Sequence, residues 1–189
     1  MIRNAVVAGA IAAGTALGGC AGNSARFLID PPAAETRIRV PVATIELRNV
    51  SLPGYAAALE IAQQDRDGAL YNIPDVLWAD DPVRGITVAL ARSLDQATTA
   101  TAAAEPWPLA EPAQARVEVR VERMLARSDD NFEFSGQYAI AAPDGAVRER
   151  LVRFDILLPL AARDPQTIAA ASSRAVSALA VEIAKTLAH

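Results

Sequence analysis

The chain has 189 residues, of which 48 are Leu, Ile, Val or Phe and 42 are Ala, enough apolar material for one globular domain and above the level at which disorder is expected. Seventeen Arg and one Lys against 22 acidic residues leave a net charge of -4, which argues against a general phosphate-binding surface and against nucleic acid as a partner. One Cys and one His exclude a multi-Cys or multi-His metal site and a disulfide framework by count, and no run reaches the roughly 18 apolar residues of a membrane helix, which excludes a polytopic protein.

The first twenty residues have a basic start at Arg3, an apolar stretch from Ala5 to Ala16, and then Leu17-Gly18-Gly19-Cys20. That is the layout of a cleavable signal peptide, with an apolar region too short to hold in a bilayer. The plain alternatives are an ordinary secretory signal with an incidental cysteine, or a buried N-terminal helix. A Cys directly after two small residues, with Leu three before it, resembles the lipobox of bacterial lipoproteins. The resemblance implies cleavage between Gly19 and Cys20 and attachment of a palmitate-type lipid to the Cys20 thiol. One acyl chain holds a protein only marginally, so a lasting anchor needs two or more, each buried methylene adding ~0.8 kcal/mol. Ala21 stands where an Asp would signal retention in the inner membrane, so the expected site is the periplasmic face of the outer membrane. The organisation expected is residues 1–19 as signal peptide, 20–25 as lipidated tether and 26–189 as a single domain.

Within that domain, residues 26–30 form a short strand candidate stopped by Pro31-Pro32. Residues 36–47 carry Ile38, Val40, Val42 and Ile45, broken near Pro41, and read as a kinked or edge strand. Ser51 to Tyr55 reads as a turn by its Pro-Gly pair. Asp67-Gly68 predicts a hairpin with arms at 58–64 and 69–73, since Asp-Gly supplies the positive φ of a tight turn. Asp81 followed by Pro82 predicts a capped helix start, and Val83, Ile86, Leu90 and Leu94 carry the helix to about Gln96. Residues 97–112 read as a loop, with Trp107 and Leu109 as plugs into the core. Arg116 to Ala126 alternates Val with Arg and Glu, the pattern of a strand with one buried and one wet face. Turns at 128–131 and 143–145 then connect two further strands, 132–140 and 147–158, into an antiparallel meander. Asp164-Pro165 repeats the cap signal, and Ile168, Ala171, Ala175, Leu179, Ile183 and Leu187 mark the apolar stripe of a terminal helix. Strand, helix and strand in succession predict a parallel crossover. The expectation is an α/β domain, with α+β as the alternative: a mixed sheet of about five strands covered by two main helices.

Catalytic chemistry has few residues to draw on. The one His is His189, the last residue, where a frayed end cannot hold a general base in register. Asp65, Asp67 and Gly68 mimic part of an EF-hand loop, but the decisive position of the bidentate Glu falls on Pro74. Asp80-Asp81 reads better as a cap and Asp129-Asp130 as a solvated turn than as metal ligands. The Arg/Glu face of strand 116–122 reads as a solvated sheet surface with cross-strand ion pairs, and Phe132, Phe134 and Phe154 as core instead of a lipid groove. Trp78 is open between core and contact surface. The expectation is no catalytic residue, no metal and no cofactor beyond the covalent lipid on Cys20.

The order of features also resembles a known family. A lipobox Cys20, a short strand at Phe27-Leu28-Ile29, the passage from Val42 to Tyr55 ending Leu52-Pro53-Gly54-Tyr55, Trp78-Ala79 before a helix, a Val-rich strand, a meander and a terminal helix with Leu179-Ala180-Val181-Glu182-Ile183-Ala184 together are similar to the ABC-type transport auxiliary lipoproteins, the PqiC-like proteins. The resemblance implies an anticodon-binding-domain-like layered fold. It further implies a noncatalytic outer-membrane lipoprotein serving an MCE-type ABC system that moves lipids or other hydrophobic substrates between the membranes. The implied partners are an MCE-domain protein and, through it, an ABC permease and ATPase. Pro53, Gly54, Tyr55 and Trp78 are the candidate partner contacts, and a homo-oligomer stays open. Two other classes also stay open: a periplasmic lipoprotein that itself binds a hydrophobic ligand, and a structural or assembly lipoprotein without a transport role.

Overall fold

The computed structural model describes residues 23–189, so the signal segment, the lipobox and Cys20 lie outside the described residues. The strands are β1 (Ala25–Phe27), β2 (Thr44–Leu47), β3 (Glu60–Gln64), β4 (Leu70–Trp78), β5 (Thr101–Ala104), β6 (Ala115–Ala126), β7 (Asn131–Ala141) and β8 (Arg150–Pro159). The helices are α1 (Gly54–Ala57), α2 (Pro82–Ala97) and α3 (Pro165–Leu187). All eight strands form one mixed sheet.

Local chemistry sets most of these boundaries. Gly68 takes φ +86° at the β3/β4 turn, the conformation for which an Asp-Gly pair is suited. The Asp81 carboxylate accepts from the backbone N–H of Arg84 at 2.9 Å, and the Asp164 carboxylate from that of Thr167 at 2.9 Å, so α2 and α3 start in the same way. Each has its proline in the first turn, where the missing N–H leaves no bond unmade.

The sheet is organised around β6. Its partners run in the order β1-β4-β3-β6-β2-β5 on one side, while β7 and then β8 extend the other. A single passage of chain, residues 44–64, runs parallel along one edge of β6. It pairs as β2 with Ala115 to Val117, continues through Arg48 and Ser51, whose N–H groups donate to the carbonyls of Val117 and Val119, and rejoins as β3 opposite Ala126. Between Ser51 and Glu60 it leaves the ladder as α1. β2 and β6 are parallel, but the strand directly before α2 is β4, which pairs with β1 and β3, so the strand–helix–strand succession around α2 does not itself form the expected parallel pair.

The two long helices lie side by side on one face, α2 over β2 and β5, α3 over β7 and β8. All six stripe residues of α3 are buried, from Ile168 to Leu187. This helix is long and apolar enough to cross a membrane by length and composition, but it is the core helix of the domain. Phe132, Phe134 and Phe154 are buried too, with the Phe134 and Phe154 rings 5.3 Å apart.

The α/β expectation holds, while the strand count and three local readings need correction. Among the described residues eight strands are present, where about five were expected. The run at 36–47 contributes only β2, which is interior between β5 and β6 because it begins at Thr44, beyond Pro41, where every residue retains a backbone donor. The loop at 97–112 contains β5, whose Thr-Ala-Ala-Ala sequence has no strand pattern of its own and is held extended by pairing with β2. Leu109 is exposed, and Trp107 is half-buried with its indole N–H donating to the Glu111 carbonyl at 2.8 Å, so neither plugs the core. The Leu52-Pro53-Gly54-Tyr55 turn continues into the helical turn α1, because the N–H groups of Ala56 and Ala57 both donate to the Pro53 carbonyl.

Candidate functional site

Residues 25–30 are fastened firmly to the rest of the fold. β1 adds to the sheet edge parallel to β4, aligning Ala25 with Val76 and Phe27 with Trp78. The Phe27 carbonyl accepts from the N–H of Ala79 at 2.8 Å. Three residues on, the Asp30 N–H donates to Ser173 Oγ of α3 at 2.9 Å, and the Asp30 carboxylate meets Arg92 of α2 at 2.6 Å. Three elements distant in sequence thus hold residues 25–30, and a pull on the preceding chain is shared by the sheet and both helices.

Alongside this segment runs an open groove of about 260 Å³ between residues 27–30 and the first half of α2. Phe27, Leu28, Ile29, Val88 and Ala89 supply its apolar wall, and the Asp30–Arg92 and Asp80–Arg84 ion pairs lie along its rim. Leu28 is 68% exposed and Val88 50%, an apolar pair left in solvent beside the fastening point. The groove residues on 27–30 and on α2 were not legible as a unit, since Asp30 and Arg92 are 62 positions apart; the one local signal was the unpaired apolar Leu28 in an otherwise short strand.

The four candidate contact residues occupy two places. Trp78 ends β4 and is buried, with its backbone N–H donating to the Leu59 carbonyl; its ring borders the groove. Gly54 is exposed and Pro53 half-buried at the start of α1. Tyr55 is half-buried, and its hydroxyl accepts from the backbone N–H of Met124 in β6 at 3.1 Å. Tyr55 and Trp78 come together around a small cavity of about 10 Å³ that Met124, Phe132 and Ile168 also line. The structure therefore brings these two aromatics to one cavity, which shares Trp78 with the groove, and leaves Pro53 and Gly54 at the start of α1 beside Tyr55 in sequence.

The charged residues form local pairs. Arg116 meets the buried Glu46 at 3.0 Å, Arg123 meets Glu133 at 2.8 Å and Arg153 meets Glu122 at 3.2 Å, cross-strand pairs on the sheet face away from the helices. Backbone hydrogen bonding from Thr167 holds the Asp164 carboxyl below the usual carboxylate range, and burial pushes the Glu182 carboxyl above it. Among the described residues no group of three His, Cys, Asp or Glu could hold a metal ion.

The model of a family described as the ABC-type transport auxiliary lipoprotein component matches residues 27–184. The chain belongs to that family. It is thereby an auxiliary lipoprotein of ABC-type transport, a family of membrane-anchored proteins that is not typically catalytic. The match begins at Phe27 in the fastened segment and runs through most of α3, so it takes in the groove, α1 and the whole sheet except the first residues of β1. No curated protein matches the chain. Among solved structures, an uncharacterized protein is 16% identical with a TM-score of 0.65, covering 80% of this chain and 98% of its own. A Xanthomonas campestris protein of the family DUF330 is 14% identical with a TM-score of 0.61, covering 87% of this chain and 92% of its own. At those identities the likeness is one of fold, and it extends over nearly the full length of both relatives.

Proposed function

We propose that this ABC-type transport auxiliary lipoprotein is anchored to the periplasmic face of the outer membrane through a lipid on Cys20, and that it receives an MCE-domain protein whose ABC permease and ATPase lie in the inner membrane. Its work in this reading is positional: it holds one end of an assembly that moves lipids or other hydrophobic molecules between the membranes. The observation that carries the reading is the fastening of residues 25–30 to β4, α2 and α3 in a chain of this family. Only four residues separate Cys20 from Ala25, a tether of five steps that spans at most about 18 Å at ~3.3–3.6 Å per residue. A lipid at Cys20 would keep the β1 edge and the groove beside it close to the bilayer and leave the remainder of the sheet facing the periplasm.

The neighbourhood of the tether is suited to that duty. A short leash converts partner binding into a search over a restricted volume, which raises the effective concentration of the anchored domain at the membrane. No cofactor enters beyond the lipid.

The direct test is Cys20→Ala in the full chain. The substituted protein is expected to lose incorporation of a labelled fatty acid and to leave the outer-membrane fraction. Unchanged acyl labelling and fractionation of the variant would remove the anchor from the account.

A further inference from the structure

We propose that two copies of this chain join edge to edge through β8, continuing one sheet into the other. Among the described residues β8 pairs with β7 alone, so its second edge carries no strand along ten residues. Proteins ordinarily blunt such an edge with proline, inward-pointing charge, a bulge or a covering segment. In β8 the proline is confined to the last position, Pro159, and the register with β7 runs unbroken from Arg150 to Pro159. Its helix-side residues Val152, Phe154, Ile156 and Leu158 are apolar, with Arg150 the one charge on that side at the start of the strand, and its outward side carries Arg153 and Asp155 between the exposed Leu151 and Leu157.

What identifies a second copy as the occupant is that the strand is its own antiparallel complement. About a two-fold axis at Phe154, Arg153 of one copy lies opposite Asp155 of the other, and Asp155 opposite Arg153. Leu151 then meets Leu157, Val152 meets Ile156, and the two Phe154 face each other. Directly opposed side chains in an antiparallel pair stand with Cβ atoms ~4.5–5.5 Å apart, close enough for each of these pairs to make contact.

The alternatives are penalised by the same residues. A slip of one residue sets helix-side positions against outward ones, which the two-residue period of the sheet forbids. A shift of the axis by one residue brings Arg153 opposite Arg153 or Asp155 opposite Asp155. Only the axis at Phe154 satisfies both charges and both leucines, the self-complementarity that an isologous interface requires. Arg153 is free to take part, because its present partner Glu122 holds it at the surface in a solvent-exposed pair. The proposal stands apart from the anchoring reading and would survive its failure.

The test uses full-length chains co-expressed as pairs, extracted in detergent, oxidised with copper–phenanthroline and resolved without reductant. Leu151→Cys paired with Leu157→Cys is expected to give a disulfide-linked dimer. Either variant paired with itself is expected to give no more than the parent chain, whose one cysteine is Cys20, because like positions lie about 20 Å apart along the strand at ~3.3 Å per residue. Adding Arg153→Asp alone, or Asp155→Arg alone, to both partners sets like charges opposite one another and is expected to lower the linked fraction severalfold. Adding both together restores the pairing and the linkage, a rescue that a folding defect would not produce. Equal linkage in the like-with-like pairs, no linkage in the mixed pair, or failure of the charge exchange to rescue would each overturn the proposal.

Discussion

The hydroxyl of Tyr55, at the start of α1, accepts a hydrogen bond from the backbone N–H of Met124 in β6 at 3.1 Å. The passage 44–64 runs along β6 but leaves it between Ser51 and Gln63 to form α1, and Met124 lies in that interval. The tyrosine takes the place of the absent strand: the segment that departs from the ladder supplies a side chain to satisfy the N–H it abandons. An unsatisfied buried donor costs more than the hydrogen bond itself contributes.

Replacing Tyr55 by Phe keeps the ring in place and removes only that acceptor. The expected loss is about 1–2 kcal/mol of unfolding free energy. Urea denaturation of the two proteins should show a lower midpoint with an unchanged slope; equal midpoints would mean that the Met124 N–H finds another acceptor.

Two glycines should respond in opposite directions to the same change. Gly136 in β7 faces β6 where its register shifts between Val121 and Arg123, and a Cβ added there would lie 2.2 Å from the Arg120 carbonyl oxygen and 2.9 Å from Val121 Cα. Both are backbone atoms and cannot swing aside, so Gly136→Ala should destabilise by about 1–3 kcal/mol or more. Gly85, inside α2, would meet nothing within 4 Å, and Gly85→Ala should stabilise by roughly 0.5–1 kcal/mol through helix propensity. Thermal midpoints of the two variants, measured side by side, check both signs.

The cap of α3 predicts an acid-sensitive contribution. Hydrogen bonding from Thr167 lowers the pKa of Asp164 in the folded state, so its stabilisation is present above the unfolded value, roughly 3.9, and is lost as pH falls through the lower folded value. Asp164→Asn keeps an acceptor but not the charge. The margin by which the parent exceeds this variant in thermal midpoint should be full at neutral pH and shrink below about pH 4. A pH-independent margin would mean that the charge contributes nothing.

Glu182, also on α3, should behave in the reverse sense. Burial raises its pKa in the fold, against smaller opposing contributions from Tyr138 and Lys185. The folded state then holds the proton more tightly than the unfolded one, and stability falls as pH rises from the unfolded value, roughly 4.3, through the raised one. Glu182→Gln removes this cost, so it should be the more stable protein at neutral pH, by a small margin since the residue is partly exposed, and equal to the parent near pH 4. Thermal melts across that range decide the sign.

How far the fold could be read depended on whether an element carried its own pattern. α2 and α3 were legible because caps, prolines and apolar stripes agree, and β6 because Val alternates with charge through seven positions. β5 was not, since Thr-Ala-Ala-Ala is extended only by virtue of lying beside β2. α1 was hidden for a related reason: Pro-Gly signals a turn, and the helical turn that follows is fixed by the Pro53 carbonyl and the reach of Tyr55 to Met124. The same distinction applies at the site. Trp78 and Tyr55 stand out as residues, but that they converge on one cavity, and that Asp30 joins Arg92 and Ser173, are facts of tertiary structure with no local trace.

The central claim, that this auxiliary lipoprotein serves an MCE-type ABC system, is tested most directly by crosslinking the full chain in its own membranes and purifying it by an affinity tag. The account predicts that an MCE-domain protein is recovered with it, accompanied by an ABC permease and ATPase, and that recovery falls with Cys20→Ala. Recovery of no ABC-system component from a chain that is still acylated and still in the outer membrane would contradict it.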